Sequence, residues 1–157
     1  MSTEPIRRSL HVRLNPEEAF RLFTAGIGSW WPLDTHARAE ERGSETKEVV
    51  FEEHAGGRIY EVLTDGTNCD WGRVTAWEPP GRVVYDWKPN DDDHPPTEVE
   101  VRFSPTEKGG TMVALEHRGW EALGPDLGPV AREAYDAPDG WGLVFERCFA
   151  EAAGVAG

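Results

Sequence analysis

The chain has 157 residues, and its 29 acidic against 16 basic side chains give a formal net charge of −13 at pH 7. This length fits one globular domain with a single sizeable core. The acidic balance argues against binding to nucleic acid or to an anionic membrane surface, because both need clustered lysine and arginine. No segment approaches the roughly 20 apolar residues of a membrane-spanning helix, so we predict a cytoplasmic protein.

The N-terminal third predicts one strand followed by short helices and a loop. Apolar and polar residues alternate over Ile6 to Leu14, as in a half-buried strand. Asn15-Pro16-Glu17-Glu18 then combines an N-cap, a proline at the first helical position and an acidic first turn, which predicts a helix start. Gly26 and Gly28 interrupt the helical pattern, and residues 35–45 are polar and aperiodic, which indicates an exposed loop.

The middle of the chain alternates apolar and polar residues in six short segments, separated by turn-forming residues. Short connections between such strands predict an antiparallel meander with one buried and one exposed face. The segments span residues 48–54, 58–63, 69–77, 82–87, 97–103 and 111–117.

The C-terminal part predicts a helix that covers the sheet. Residues 119–139 are rich in glycine and proline, which predicts irregular structure with a helical turn near 129–135. Five apolar residues then recur at helical spacing, which predicts an amphipathic helix over about 139–153: Trp141, Val144, Phe145, Cys148 and Phe149. The predicted fold class is therefore α+β, with a curved antiparallel sheet wrapped around a long C-terminal helix.

Seven short motifs occur in order along almost the whole chain: Trp30-Trp31-Pro32, Gly56-Gly57-Arg58-Ile59-Tyr60-Glu61, Trp71-Gly72-Arg73-Val74, Trp77-Glu78-Pro79-Pro80, Thr97-Glu98-Val99, Gly110-Thr111 and Leu115-Glu116-His117. In order and spacing this set resembles the START-like (SRPBCC) superfamily. Within it, the chain is similar to bacterial homologues of the activator of heat-shock-protein-90 ATPase family. The resemblance implies one START-like domain over residues 1–157. It also implies a helix-grip fold, as in the birch pollen allergen, with a hydrophobic cavity between the sheet and the terminal helix.

Tryptophan is the most informative residue type, with seven in the chain. Its large flat face suits a hydrophobic, aromatic ligand, although each tryptophan could instead only fill the core. Trp87 and Trp141 should face each other across the gap between sheet and helix. With the inward faces of the strands, the predicted ligand-binding set is Trp30, Trp31, Val83, Tyr85, Trp87, Val99, Val101, Val113, Leu115, His117, Trp120, Trp141 and Phe145.

His117 is the first candidate for acid–base chemistry, and Tyr85 is the second. Strand parity places His117 on the same face as Val113 and Leu115, near the strand end where a cavity would open. A neutral imidazole there could act as a general base or bind the ligand. The alternative is a buried histidine whose hydrogen bonds go to a backbone carbonyl or to Glu116.

Glu61 is the third acid–base candidate. It either pairs with Arg73 across neighbouring strands, which would be a surface pair of small net value, or points inward as a polar anchor. The inward face of the strand at 69–77 stays open, because Trp71 and Trp77 share their parity with Arg73.

The remaining motifs disfavour several function classes. Asp91-Asp92-Asp93-His94 predicts a solvated hairpin tip rather than a metal site, because consecutive side chains point in different directions. Cys69 and Cys148 predict reduced thiols, and no nucleophile elbow or phosphate-cradling loop occurs, so we expect no metal or cofactor.

Three functions follow from these patterns and the resemblance. The first is binding of a small hydrophobic molecule, in a carrier, sequestration or stress-related role without catalysis. The second is a cavity enzyme of aromatase/cyclase type, which relatives by fold include. The third is a co-chaperone-like domain whose acidic surface meets a chaperone. The chain would be a monomer or a homodimer.

Overall fold

The computed structural model describes residues 2–39 and 42–155. Its seven strands form one antiparallel sheet in the order β1-β7-β6-β5-β4-β3-β2, so the predicted meander is confirmed and β1 joins it at the far edge, beside β7. The strands are β1 (Ile6–Val12), β2 (Thr46–Phe51), β3 (Arg58–Leu63), β4 (Asn68–Glu78), β5 (Arg82–Trp87), β6 (Thr97–Pro105) and β7 (Thr111–Arg118).

The helices lie before the meander and after it. Helix α1 begins at the predicted cap, where Asn15 Oδ1 accepts from the Glu18 N–H and Glu18 Oε1 accepts from the Asn15 N–H. The region predicted as irregular contains a helix, α2, that is longer than the predicted turn. The helical elements are α1 (Pro16–Phe23), the 3₁₀ turns Ile27–Ser29 and Trp120–Leu123, α2 (Leu127–Asp136) and the C-terminal helix α3, made of Trp141–Leu143, a π-helical stretch Val144–Phe149, and Ala150–Ala153.

The core lies between the inward face of the curved sheet and α3. Phe149 of α3 contacts the rings of Phe23 and Trp30, with centroid distances of 5.2 and 5.1 Å. The residues predicted to face the interior are all buried, and the six in strands confirm the predicted strand register: Val83, Tyr85, Val99, Val101, Val113 and Leu115, with Trp141 and Phe145 of α3. Among the described residues, no helix is long and apolar enough to span a membrane.

The side chains of β4 do not alternate regularly between the two faces of the sheet, and this determines which residues of 69–77 point inward. The register of β4 shifts once against β3 and once against β5, and each shift offsets the alternation of side chains. Trp71 and Val74 therefore both point inward, whereas Arg73 is exposed. A Cβ at Gly72 would lie 2.0 Å from the Asp86 carbonyl oxygen, so this close approach requires glycine.

The outer face of the sheet carries a network of ion pairs around Glu100. Its carboxylate accepts from Arg82 Nε at 2.8 Å, from Arg118 Nη1 at 2.6 Å and from Arg102 Nη2 at 2.7 Å. Burial disfavours the charged form, but the hydrogen bonds and charges of these arginines outweigh it and lower the pKa of Glu100 to about 2.

We expect Glu100→Gln to lower the free energy of unfolding by about 1 kcal/mol at pH 7, because the pairs are partly exposed to solvent. The pKa of this carboxyl is lower in the folded than in the unfolded chain. Its contribution is therefore fully present above about pH 4.5 and is lost as the pH falls towards 2. Urea unfolding of both proteins at pH 7 and pH 3 should show a difference that shrinks at the lower pH. A constant difference would contradict the assignment.

Candidate ligand-binding cavity

A cavity of about 210 Å³ opens between the sheet, α3 and the loop that follows the first 3₁₀ turn. Its volume lies below the roughly 300–1,000 Å³ of common ligand pockets, so it suits a ligand of one or two rings. We call it the aromatic cavity. It is lined by Trp31, His36, Ala37, Arg38, Trp71, Trp87, Pro89, Tyr135, Gly140, Trp141 and Val144.

Three tryptophans from different parts of the chain form one wall of the cavity. The centroid of Trp31 lies 5.0 Å from that of Trp71 and 5.6 Å from that of Trp87. Trp71 and Trp87 meet edge to face at 5.8 Å. Such tilted contacts are the favoured arrangement of aromatic pairs, so the rings hold one another in place. Trp141 from α3 lines the same cavity, so Trp87 and Trp141 lie on the sheet side and the helix side of one gap.

The indole N–H groups of these four tryptophans all donate to groups of the protein. Because an indole has only one donor, the tryptophans offer a ligand their faces and edges and no hydrogen bond. The pairs are Trp31 to the His36 carbonyl (2.8 Å), Trp71 to Glu61 Oε1 (3.1 Å), Trp87 to Tyr135 Oη (3.0 Å) and Trp141 to His117 Nδ1 (3.0 Å).

Two other side chains of the lining carry the polar chemistry. The Tyr135 oxygen accepts from Trp87, so its own O–H is directed elsewhere. Burial raises the pKa of Tyr135, which keeps the hydroxyl a neutral donor at pH 7. The guanidinium of Arg38 donates to Asp91 Oδ2 at 2.6 Å, which lowers the pKa of Asp91 and fixes a positive charge beside the cavity. A ligand that carries an oxygen acceptor would fit these two groups.

His36 connects the two loops at the edge of the cavity. Its Nε2–H donates to the Asp139 carbonyl at 2.7 Å, and Nδ1 forms a hydrogen bond with Thr35 Oγ1, also at 2.7 Å. This bond ties the loop after Trp31 to the segment that leads into α3.

Glu61 lies directly behind the cavity wall and is fully buried. The alternative that it pairs with Arg73 on the surface is wrong, because the register of β3 and β4 sets Arg58 opposite Arg73 and Glu61 opposite Cys69. The Glu61 carboxylate instead accepts four hydrogen bonds, from the N–H groups of Arg38 and Ala39, from Thr46 Oγ1 and from Trp71 Nε1. It therefore positions two cavity residues and does not reach the cavity itself.

His117 is fully buried outside the lining of the aromatic cavity. Nδ1 accepts from Trp141, so Nε2 carries the proton and donates to Thr97 Oγ1 at 2.7 Å. The ring also packs on Trp120 at a centroid distance of 4.2 Å. Burial lowers the pKa of His117 to about 3. The ring is thus a neutral, satisfied histidine, as in the alternative above, with Thr97 and Trp141 as partners instead of a backbone carbonyl or Glu116.

Tyr85 is also separated from the cavity. Its ring packs between Phe51 at 5.7 Å and Trp87 at 5.8 Å, and burial raises the pKa of its hydroxyl. Tyr85, Glu61 and His117 therefore stand behind the lining rather than in it.

The predicted ligand-binding set divides into two groups. The structure brings Trp31, Trp87 and Trp141 together around the cavity. The others lie in the packed core around it: Trp30, Val83, Tyr85, Val99, Val101, Val113, Leu115, His117, Trp120 and Phe145.

Eight lining residues lie outside the predicted set, and four of them carry the aromatic or polar chemistry: His36, Arg38, Trp71 and Tyr135. Trp71 and Tyr135 could have been predicted from the sequence, because Trp71 lies in one of the seven motifs and Tyr135 lies in the predicted helical turn. His36 and Arg38 lie in an aperiodic loop that carries no such signal. Within residues 2–39 and 42–155, no three His, Cys, Asp or Glu side chains are grouped so that they could hold a metal ion.

The chain matches one protein-family model and is similar to several solved structures. The family model "Activator of Hsp90 ATPase homolog 1-like protein" matches residues 13–151. The chain is 34% identical to the anthrahydroquino-γ-pyrone synthase Txn09, with a TM-score of 0.59 over 96% of this chain and 99% of that one. No curated protein sequence matches it.

Two further solved structures resemble it over nearly their whole length. A protein from Rhodobacter sphaeroides is 27% identical, with a TM-score of 0.68 over 97% of this chain and 91% of that one. The self-sacrificing resistance protein CalC from Micromonospora echinospora is 24% identical, with a TM-score of 0.67 over 96% and 94% of the two chains, a likeness of fold.

Proposed function

Because the chain belongs to the activator of Hsp90 ATPase homolog 1-like family, a START-like family whose fold commonly encloses hydrophobic ligands, we propose that it binds a small flat aromatic molecule in the aromatic cavity. Its role would be that of a carrier or a sequestering protein. The observation that carries this proposal is the set of four tryptophans around one cavity, each with its N–H already bonded to the protein. Such a lining recognises flat apolar surface.

The expected affinity follows from the area that the cavity can cover. A two-ring ligand that buries about 200 Å² of apolar surface gains roughly 5 kcal/mol, and each well-placed aromatic contact adds about 1 kcal/mol. With one such contact the gain is about 6 kcal/mol, which corresponds to a dissociation constant of roughly 40 μM. The Tyr135 hydroxyl and the Arg38 guanidinium favour ligands with a phenol or keto oxygen, so 2-naphthol is a suitable probe.

The test uses a substitution in the loop that lines the cavity, so that a larger side chain fills it. We expect 2-naphthol to quench tryptophan fluorescence saturably and to raise the melting temperature of the wild-type protein. Ala37→Phe places a ring in the lining and should weaken binding at least tenfold. Ala55→Phe makes the same change in an exposed turn and should leave binding unchanged. Absence of saturable quenching, or equal binding by Ala37→Phe, would overturn the proposal.

A cavity enzyme is the second candidate, and the similarity to the synthase Txn09 favours it. The acid–base group within reach of a ligand would then be Tyr135, because Glu61, Tyr85 and His117 lie behind the lining. Conversion of a bound aromatic compound into a new product would support this reading over simple binding.

A co-chaperone role is the third reading and rests on the family description. This function is favoured if no aromatic probe binds and the protein alters the ATPase rate of a chaperone.

A further inference from the structure

A second cavity, of about 160 Å³, lies on the other side of Tyr135 from the aromatic cavity. Leu127 and Ala131 of α2, together with Trp120, form its apolar side. Polar residues of the loop after β5, including Lys88 and His94, form the opposite side. We call it the polar annex.

The two cavities share one thin partition. Trp87, Pro89 and Tyr135 line both of them. The partition is closed by the hydrogen bond from Trp87 Nε1 to Tyr135 Oη, at 3.0 Å. Together the cavities enclose about 370 Å³, which enters the usual range of about 300–1,000 Å³ for ligand pockets, whereas either cavity alone falls below it.

Tyr135 is carried by a helix that buries little apolar surface and is held instead by hydrogen bonds of Arg8 to Asp136 and of Arg132 to the Glu4 carbonyl. It is the penultimate residue of α2, a helix in which Gly128 is the only fully buried residue and Val130 is 56% exposed. Elements with few buried contacts open at low free-energy cost. Movement of Tyr135 away from Trp87 sacrifices one hydrogen bond and its ring contacts with His117, Trp120 and Trp141.

We propose that the aromatic cavity and the polar annex become one site when Tyr135 moves away from Trp87, and that this site takes an elongated fused-ring ligand with oxygen substituents at its far end. The inference rests on the proposed function, because the near rings of the ligand occupy the aromatic cavity. The annex contains both the Lys88 ammonium and the Asp92 carboxylate, so neutral hydroxyl or keto groups suit it better than a strongly charged group.

The first experiment compares a short and a long probe, 2-naphthol and 2,6-dihydroxyanthraquinone. Ala131→Phe fills the annex from α2 without touching the aromatic cavity. It should weaken binding of the long probe at least tenfold and change that of the short probe less than twofold. Val130→Phe adds the same ring to the exposed side of α2 and should change neither. Equal effects of Ala131→Phe on both probes, or no effect on either, would overturn the inference.

The second experiment tests the partition itself. Tyr135→Phe keeps the ring and removes the acceptor for Trp87, so the closed state loses one hydrogen bond. Measured with naphthalene and anthracene, which offer the Tyr135 hydroxyl no acceptor, the ratio of the two affinities should shift towards the longer probe by between about two- and tenfold. An unchanged ratio would show that Tyr135 does not close the site.

The outcomes for the wild-type protein separate this inference from the proposed function. If 2-naphthol binds, Ala37→Phe abolishes that binding and the anthraquinone does not bind, only the composite site is overturned. Failure of both probes to bind would overturn the proposed function as well.

Discussion

Glu61→Leu is expected to lower the free energy of unfolding by about 3–5 kcal/mol, as for loss of one partner from a buried charged network. The substitution leaves four donors without an acceptor, among them the Arg38 N–H and the Trp71 indole. It should also weaken 2-naphthol binding, because both residues line the aromatic cavity. Urea unfolding at pH 7 measures the first effect and fluorescence quenching the second.

Two further variants make this result interpretable. Glu53→Leu changes an exposed turn residue and should alter the free energy of unfolding by less than about 0.5 kcal/mol. Glu61→Gln keeps the shape and one oxygen, but it turns an amide NH₂ towards Ala39 N–H or Arg38 N–H, so we expect a loss of about 2 kcal/mol. A change under 1 kcal/mol for Glu61→Leu would show that water, not Glu61, satisfies these donors.

The His117 ring is expected to remain neutral from pH 8 down to pH 5. Its pKa is about 3 in the folded chain against 6.5 for an exposed histidine, because burial disfavours the charged form. Its NMR ring resonances should therefore not titrate in this interval. A titration midpoint near 6.5 would contradict the buried, doubly hydrogen-bonded geometry.

The same difference makes the stability of the protein depend on pH. Below pH 6.5 the unfolded chain binds a proton at this histidine and the folded chain does not, so acid favours unfolding until the pH reaches about 3. Each pH unit in that window costs up to about 1.4 kcal/mol, which gives about 2 kcal/mol between pH 7 and pH 5. His117→Gln should lose this dependence, whereas His54→Gln, in an exposed turn, should keep it. Equal pH dependence in His117→Gln and wild type would contradict the assignment.

The strands and their buried faces could be predicted because alternation is a local property. Tyr85 and Val101, for example, are placed correctly by period two alone, since nothing interrupts their strands. The cap at Asn15 was equally readable, because its hydrogen bonds join residues three apart. The placement of Trp87 and Trp141 around one gap needed only the further idea that a helix covers the sheet.

The polar interior could not be predicted in the same way. Glu61 lies inside because its four donors come from a loop, a neighbouring strand and a tryptophan whose face depends on the register shifts of β4. Arg38 reaches the cavity through an aperiodic loop that Glu61 holds in place. Periodicity carries no information about such contacts, since they depend on where distant segments meet.

The π-helical stretch Val144–Phe149 has a consequence for the rotational phase of α3. Trp141, ahead of the stretch, and Val144, its first residue, line the cavity, whereas Phe149, its last residue, and Ala153, after it, pack in the core. In an α-helix each residue advances the rotation by about 100°, so losing one residue from this wide turn would rotate one end of the helix away from its neighbours. The number of residues in this stretch is therefore constrained more tightly than their identity. A fixed number keeps the cavity-lining and core-facing residues of α3 on their present sides of the helix.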